Sequence, residues 1–566
     1  MFSAVRESLQ TETRPDSLKA NLLSGLTVGV IALPLSMALA IAVGVPPQHG
    51  LYTAIFAGLV IALTGGSRVN ISGPTAAFVV VLLPIVHAWG IGGLLVSGFM
   101  AGVILVLMGM LRLGRFVEIV PYPVTIGFTS GIGVVIATFQ ITDFLGLTPG
   151  ESGGHYLEKL SAIVLALPTL NWQETLTGVV TLATLVFWSK LRSRIPGHLV
   201  ALLVGSLLAM LLGYLLDDFS VATIGSRFHY EINGVTGSGI PPLLPAFEWP
   251  WNLPDANGEP VGMSFGLVSM LLASAITIAM LGALESLLCA VVADGMSGYK
   301  HNPDDELIGQ GIGNMIVPLF GGIPATAAIA RTAANIRAGA TSPLSSAIHG
   351  LFIVASILFL SPLLAWIPMA SMAALLLMVA WNMSEVKHFI RIVRIAPRDD
   401  VATLLICFSL TVVFDMTIAV AVGVGLASML FIRRSIQLVE SKRHESALYQ
   451  DLPREIVVYN MDGPLFFGSA QQAIKGIADI MPEVRAIILD MTDVTMLDIT
   501  AIIAMEGITK KLADNNVRLV ICHLQPRMIQ KLQRAGIGVN NGPIVFVNTA
   551  DEAVDRAREL VADATV

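Results

Sequence analysis

Charged residues are scarce in this chain: only 13% of its 566 residues are Asp, Glu, Lys or Arg, against about 25% in an average soluble domain. Cysteine is scarcer, and the three copies (Cys289, Cys407 and Cys522) have no CxxC or metal spacing. Disulfide and zinc sites therefore have no support. The sequence also lacks a Walker motif, a nucleophile elbow and an HExxH motif. We therefore expect neither an enzyme nor an ATP-driven pump, with no cofactor and no nucleic-acid partner.

Long apolar runs are abundant instead. Hydrophobic residues make up 54% of the chain, and the mean hydropathy is +0.76. This composition predicts a polytopic α-helical membrane protein. The predicted apolar segments number fourteen and lie at about 21–43, 50–64, 73–89, 91–111, 121–145, 173–190, 197–216, 264–292, 306–320, 324–338, 344–361, 363–381, 400–415 and 417–432. Several are too short to span a bilayer alone, which is typical of broken helices enclosed by protein.

The distribution of charge predicts the topology. The longest predicted outer loop, 217–263, has one basic residue, Arg227, whereas Lys and Arg concentrate in the predicted inner loops, as the positive-inside rule requires. Seven segments precede this loop and seven follow it, so the second half has the opposite orientation, as in a 7+7 inverted repeat. The predicted parts are a cytoplasmic N-terminal segment (1–20), a first repeat (21–216), the extracytoplasmic loop (217–263), a second repeat (264–433) and a linker (434–452). Both termini are expected on the cytoplasmic side of a bacterial inner membrane.

A soluble α/β domain is predicted for residues 453–566, where short apolar strands alternate with amphipathic helices. The predicted strands are 456–460, 465–467, 486–490, 517–521 and 544–547, and the predicted helices are about 470–480, 499–514, 525–535 and 550–562.

Two similar stretches, one in each half, point to a binding site. Ser72–Ala77 (SGPTAA) and Pro324–Ala328 (PATAA) each place Pro and small residues before an apolar run. Because Pro is favoured in the first turn of a helix, each stretch predicts a helix that begins inside the membrane with its positive dipole end exposed. Two such starts indicate an anion site near the midplane of the bilayer. The candidate substrate-binding residues there are Thr75, Ala76, Ala77, Ala325, Thr326, Ala327 and Ala328. The alternative is that the small residues only allow tight helix packing.

Charged residues within predicted segments are further candidates, because burying a charge in a membrane is costly. Arg331 follows Pro324 by seven residues, about two turns of helix, and could add positive charge to the anion site. Glu285 could carry a coupled proton, or could bind Na⁺ together with Ser286. The alternative for Arg331 is a place near the inner end of its helix, where it serves topology or pairs with an acid. The alternative for Glu285 is a structural pair with Arg331 or with a backbone donor.

Two weaker candidates lie in the first segment and between the last two. Pro34 is expected to break or kink the first helix, which would expose Ser36 and Met37 to the same cavity. A kinked packing helix explains Pro34 equally well. Asp415 is a second acid at membrane depth, and a helix cap is its simplest interpretation.

The motifs resemble those of the SulP sulfate permease family, also called solute carrier family 26. The resemblance is carried by residues 47–54 (PQHGLYTA), 65–68 (GGSR), 72–77, 282–286 (GALES) and 329–335 (IARTAAN). Residues 490–498 (DMTDVTMLD) are similar to the STAS domain of that family. The resemblance implies a core domain that moves against a gate domain by elevator-like alternating access, a site between segments 1, 3, 8 and 10, and a homodimer.

Within the family, residues 222–230, 285–292 and 377–385 are similar to bacterial C4-dicarboxylate transporters of the DauA type. This implies uptake of succinate, fumarate or aspartate. By the family pattern, Glu285 is linked to H⁺ coupling in some members and Arg331 lies beside the anion in others. Na⁺-coupled bicarbonate transport, sulfate transport and an anion channel are the alternatives.

The STAS-like stretch departs from the pattern of anti-sigma-factor antagonists at one position. Those proteins have a phosphorylatable Ser after the loop Asp, whereas here Asp498 is followed by Ile499. We therefore expect this domain to stabilise the dimer or to bind a cytoplasmic protein rather than to be switched by phosphorylation there.

Overall fold

The computed structural model describes residues 3–11, 15–117, 120–150, 156–191, 195–232, 235–414, 416–437, 441–443, 452–461, 463, 465, 483–537 and 544–563. The chain divides into two compact units, Met1–Val424 and Gly425–Val566. The predicted helix 470–480, most of the predicted strand 465–467 and Asp415 lie outside the described residues.

The first half of the larger unit is helical. Its elements are α1 (Ser3–Thr11), α2 (Pro15–Val43), α3 (Pro47–Thr64), β1 (Ser72–Gly73), α4 (Ala76–Met110), α5 (Gly114–Val117), α6 (Tyr122–Leu145), α7 (Tyr156–Ala166), α8 (Trp172–Lys190) and α9 (Gly197–Leu215). Helix α4 consists of two helices that meet at Gly90, where φ is 66° and ψ is −170°. This break separates the predicted third and fourth segments.

The loop is followed by the second half of the larger unit, which is also mainly helical. The loop contains α10 (Ile224–Arg227) and a hairpin of β2 (His229–Ile232) and β3 (Val235–Ser238). It is followed by α11 (Phe265–Ser297), α12 (Pro303–Ile316), β4 (Thr326–Ala327), α13 (Ile329–Arg337), α14 (Leu344–Leu364), α15 (Met369–Met383), α16 (Val386–Ile395), α17 (Arg398–Val413) and α18 (Met416–Gln437). Single 3₁₀ turns lie at Leu167–Thr169, Pro250–Asn252 and Val317–Phe320.

The membrane architecture agrees with the predicted fold class. Counting α4 as two, the fourteen segments correspond to α2, α3, α4, α6, α8, α9, α11, α12, α13, α14, α15, α17 and α18. Among the described helices, seven are long and apolar enough to cross a membrane by themselves. Large apolar side chains on the outside, such as Phe265 at 89% and Phe359 at 79% exposure, suit contact with lipid.

A two-residue strand precedes each of the two predicted helix starts. Strand β1 pairs with β4 in antiparallel fashion, with Ser72 opposite Ala327 and Gly73 opposite Thr326. All four residues are buried. The pairing brings the starts of α4 and α13 together, although they belong to opposite halves of the sequence.

Local details of these starts differ from the prediction. Helix α4 begins at Ala76 with Thr75 at the N-cap, and α13 begins at Ile329 with Ala328 at the N-cap. Pro74 and Pro324 therefore precede the helices instead of occupying their first turns. Thr75 lies between Pro74 and α4, and β4 lies between Pro324 and α13. Of the predicted break or kink at Pro34, the break does not occur, since α2 continues as a helix through Pro34.

The smaller unit contains a five-stranded sheet in the order β5-β6-β7-β8-β9, with β5 antiparallel to β6 and the other neighbours parallel. Its elements are β5 (Ser441–Arg443), β6 (Ile456–Met461), β7 (Ala486–Asp490), α19 (Ile499–Asp514), β8 (Arg518–Cys522), α20 (Pro526–Arg534), β9 (Ile544–Val547) and α21 (Ala550–Asp563). One face of the sheet packs on α19 and α20 and the other on α21. Within the described residues, this confirms the predicted α/β class, although β5 lies in the segment that was predicted as a linker.

Candidate functional site

Glu285 lies where the two helix starts meet. Its Oε2 atom accepts hydrogen bonds from Thr75 Oγ1 and Thr326 Oγ1, each at 2.9 Å. Thr75 is the N-cap of α4 but does not use its side chain to cap that helix. The hydroxyl group is directed to the carboxylate of α11 instead. The predicted candidates Thr75, Thr326 and Glu285 are thus brought together by three different elements.

Arg331 is the third residue of α13, in its first turn and not two turns into the helix as predicted. Its Nη2 atom donates to the carbonyl oxygen of Pro74, and the residue is 4% exposed. A Cβ atom added to Gly73 would lie 2.7 Å from Nη1. The guanidinium group therefore packs against the backbone of residues 73 and 74. Its Nη1 atom has no hydrogen-bond partner among the described residues.

Some of the backbone N–H groups that are predicted to bind the anion in the second half already donate hydrogen bonds within the protein. Ala327 N donates to Ser286 Oγ at 3.2 Å, and Ala328 N donates to Ile71 O at 2.8 Å. Ser286 therefore supports β4. The first turn of α4, with Ala76 and Ala77, is the other predicted anion-binding backbone, and both residues are buried. The first N–H groups of any helix lack partners within that helix, so this turn can donate to a ligand.

Ser36 and Met37 lie on α2, two and three residues after Pro34. Both are 0% exposed, because α2 continues through Pro34 and packs closely on α3. A Cβ atom at Gly50 would lie 1.9 Å from Ser36 O, which shows how closely the two backbones approach. Ser36 and Met37 are therefore not exposed as predicted, whereas their part in the anion site stays a prediction.

Sequence reasoning missed three buried polar residues behind the strand pair, namely Glu306, Gln310 and Asn314 of α12. They contact residues that lead into or belong to β1 and β4. Their spacing of four residues within a mostly apolar stretch was the available signal, because it places them on one face of a helix.

One group of potential metal ligands occurs among the described residues, in the smaller unit. Ligand atoms of Asp490, Cys522 and His523 lie within 4.8 Å of one another. Hydrogen bonds already occupy Asp490 Oδ1, which accepts from His523 Nδ1 at 2.9 Å and from Thr492 Oγ1 at 2.6 Å. Burial, reinforced by the charge of Asp490, raises the pKa of the Cys522 thiol to about 12. The hydrogen bonds of Asp490 describe this group as a structural cluster.

Comparison with known proteins identifies the family. Residues 18–406 match the model of the sulfate permease family, and residues 451–553 match the STAS domain. The chain belongs to the sulfate permease (SulP/SLC26) family. It is accordingly an anion transporter, not an enzyme, and it crosses the membrane several times.

Several relatives cover nearly the whole SulP chain. One of them, "Putative sulfate transporter YvdB" of Bacillus subtilis (strain 168), is 40% identical over 535 residues, which are 94% of this chain and 96% of that protein. The bicarbonate transporter BicA of Picosynechococcus sp. is 29% identical over 566 residues, with coverages of 96% and 95%.

The fold is similar to that of the murine Slc26a9 anion transporter in its inward-facing state. The TM-score is 0.84 at 18% identity, covering 99% of this chain and 94% of that one. At this identity the likeness concerns the fold alone. It agrees with the core-and-gate architecture that the sequence motifs imply.

Proposed function

We propose that this SulP protein is a secondary active transporter that couples proton entry to uptake of C4-dicarboxylates such as succinate, fumarate and aspartate. The observation that carries the proposal is the position of Glu285, whose carboxylate contacts Thr75 and Thr326 at the two helix starts. An acid at the place where an anion is expected to bind is well suited to coupling.

The proposed coupling follows from competition between negative charges. Helix N-termini and Arg331 favour one anion at this position. While Glu285 is ionised, its own carboxylate receives the Thr75 and Thr326 hydroxyls and repels a second anion. When Glu285 is protonated, the positive ends of α4 and α13 become available to a substrate carboxylate. Proton and anion would therefore bind together.

The proposed substrate site comprises Thr75, Ala76, Ala77 and the segment Ala325–Ala328, with Arg331 beside it. In the elevator-like cycle, the core (α2–α4 and α11–α14) would carry this site past the gate (α6–α9 and α15–α18). The proposal also includes a homodimer in the bacterial inner membrane, with both termini in the cytoplasm and the STAS domain free to bind a protein partner.

A second candidate is Na⁺-coupled transport of bicarbonate. It is favoured by the bicarbonate transporter BicA among the relatives. The oxygen atoms of Glu285, Thr75 and Thr326 meet within hydrogen-bond distance, and hard cations bind such oxygen clusters. Sulfate is a third substrate option, because it gives the family its name.

Uptake of labelled succinate into liposomes containing the pure full-length protein tests these assignments. The dicarboxylate proposal predicts accumulation against a gradient under an inward proton gradient, with inhibition by fumarate but not sulfate. Uptake of bicarbonate that needs Na⁺ would replace it with the second candidate. A current that does not saturate with anion concentration, together with no accumulation of substrate against a gradient, would indicate a channel.

The Glu285→Gln variant tests the coupling residue. We expect succinate exchange to persist while proton-driven accumulation and its pH dependence disappear, because the amide is neutral at every pH. Glu259→Gln, in the exposed extracytoplasmic loop, is the matched control and should behave as the unmodified protein. Normal, pH-dependent accumulation by Glu285→Gln would refute the role of Glu285.

A further inference from the structure

Three polar side chains form a stripe along α12. Glu306, Gln310 and Asn314 are spaced by four residues and so share one face of the helix. Each is at most 1% exposed. Burying polar groups is unfavourable unless they are hydrogen-bonded. Their hydrogen-bond partners therefore show which part of the molecule this face supports.

Glu306 holds the chain that leads into β1. Its Oε2 atom accepts hydrogen bonds from Gly66 N at 2.9 Å and Ser67 N at 3.0 Å. Its Oε1 atom accepts from Asn70 Nδ2 and Gln310 Nε2, each at 3.1 Å. One buried carboxylate thus fixes three positions between α3 and β1, and it also orients the next member of the stripe.

Gln310 holds β1 itself, and Asn314 holds the residue that precedes β4. Gln310 Nε2 donates to Ser72 Oγ of β1 at 3.0 Å. The amide of Asn314 pairs with the backbone of Ala325, next to β4, through two hydrogen bonds of 2.8 Å each. The stripe on α12 therefore contacts both repeats, one through Ser72 and the other through Ala325.

The strand pair depends on such support because each strand has only two residues, and a sheet that short is not stable by itself. We propose that Glu306, Gln310 and Asn314 form a positioning stripe that sets the separation of the two helix starts, and thereby the size of anion that the transporter accepts. The inference rests on the proposed location of the anion site. It does not depend on whether the substrate is a dicarboxylate or on which ion is coupled.

Size selection follows from the geometry of the starts. An anion bound between the first turns of α4 and α13 must match the gap between them, and binding geometry has to be held to about 0.5 Å for full effect. The β1–β4 register fixes this gap, and the stripe fixes the strands. Loosening the stripe should weaken binding of the preferred anion and reduce discrimination against larger and smaller ones.

The test uses Gln310→Met and Asn314→Leu in the full-length protein, because these changes keep side-chain bulk and remove the hydrogen bonds. Gln173→Met is the matched control. Gln173 also makes two hydrogen bonds, to Asp218 O and from Ser220 N, but it lies in the gate helix α8. Bicarbonate, sulfate, succinate and the longer dicarboxylate adipate serve as competitors. Anion-induced thermal stabilisation of the detergent-solubilised protein is measured with the same four anions.

We expect the stripe variants to raise KM for the preferred anion about tenfold, as loss of one or two hydrogen bonds implies, with a smaller change in Vmax. The ranking of the four anions as competitors of uptake, and their ranking by thermal stabilisation of the protein, should both change. The control should keep the original order. An unchanged order in both stripe variants, with only Vmax or protein yield reduced, would overturn the proposal.

A milder variant covers the case in which the stripe variants do not fold. Ser72→Ala removes only the hydroxyl that Gln310 holds, and it should shift KM and the anion order in the same direction by a smaller factor. An unchanged anion order in this variant would also count against the proposal. Failure of succinate uptake or of proton coupling in the unmodified protein would refute the proposed function and leave this test intact, because the test compares anion orders.

Discussion

The Oγ1 atoms of Thr75 and Thr326 lie 3.3 Å apart, although 251 residues separate them in the sequence. Both hydroxyls also lie 2.9 Å from the same oxygen of Glu285. Each threonine belongs to a different repeat, so the carboxylate of α11 is shared by the two halves of the transporter. A change in the charge of Glu285 will therefore act on both helix starts at once.

Replacing either threonine by valine should impair transport, because valine keeps the shape but lacks the hydroxyl. A hydrogen bond to a charged group contributes about 1.5–3 kcal/mol. We therefore expect Thr75→Val and Thr326→Val each to lower uptake at limiting substrate by about 10- to 100-fold. Initial rates of uptake into liposomes are the measurement. Thr75→Ser and Thr326→Ser are the controls, and loss of activity in these as severe as in the valine variants would show that bulk matters more than the hydroxyl.

Gly73→Ala should displace Arg331. The added Cβ atom would lie 2.7 Å from Arg331 Nη1, which is too close for any side chain, so the guanidinium must move away from Pro74. The positive charge then leaves the first turn of α13, where the anion is proposed to bind. We expect uptake to fall at least tenfold, which corresponds to a loss of about 1.4 kcal/mol in binding free energy. Initial rates at several substrate concentrations measure this loss.

Gly266→Ala is the control for Gly73→Ala. Its nearest neighbour would be Ser264 Oγ at 3.9 Å, and alanine is preferred to glycine within a helix. Transport by this variant should be unchanged. If Gly73→Ala were as active as Gly266→Ala, the packing of Arg331 on residue 73 would not contribute to transport.

The helical fold was predictable because it follows from local features of the sequence and from the number of apolar runs. The lengths of the apolar runs predicted the helices, and the PTAA and PATAA echo predicted that segments 3 and 10 correspond. The β1–β4 pair was not predictable in the same way. Two-residue strands have no periodicity, and their partner lies in the other half of the chain. For the same reason the start of α13 was placed too early, at Pro324.

The candidate site was predictable in its residue types but less so in their orientation. Thr75 and Thr326 stood out because they lie in the two similar stretches, and Glu285 because charged residues are rare in the predicted spans. The burial of Ser36 and Met37 depends on how closely α3 approaches α2 at Gly50, which no feature of the first segment reveals. The polar stripe of α12 was overlooked because a helical face becomes meaningful only when the neighbouring backbone is known.

Gly90 should be intolerant of substitution. Its φ of 66° and ψ of −170° form a conformation that is restricted to glycine. An added Cβ atom would also lie 2.3 Å from the backbone carbon of Asp255. We expect Gly90→Ala to destabilise the protein by at least about 1–3 kcal/mol, lowering its melting temperature and yield. Gly295→Ala, where an added Cβ meets nothing within 4 Å, is the comparison, and equal melting temperatures for the two variants would contradict the expectation.

Asp490 should stabilise the STAS domain through its charged form. Burial acts to raise the pKa of Asp490, but hydrogen bonds from Thr492 and His523 outweigh it and hold the pKa below its usual value. A carboxyl group whose pKa is lower in the folded state stabilises that state fully above the unfolded pKa, about 3.9. The stabilisation is lost as the pH falls through the folded pKa. Asp490→Asn should therefore cost about 1–3 kcal/mol at pH 7 and progressively less as the pH falls through the folded pKa.

Pulse proteolysis of the full-length protein in urea measures this difference. Thermolysin at pH 7 and pepsin at pH 2 to 4 cleave the unfolded fraction, and mass spectrometry reads cleavage within residues 486–522. Asp493→Asn is the control, because Asp493 is exposed in the same loop and should change stability little at any pH. The Asp490 variant should unfold at lower urea than the unmodified protein at pH 7, and the difference should be smaller at pH 2. A gap of the same size at both pH values would mean that Asp490 acts through shape alone, since a protonated carboxyl and an amide carry the same charge.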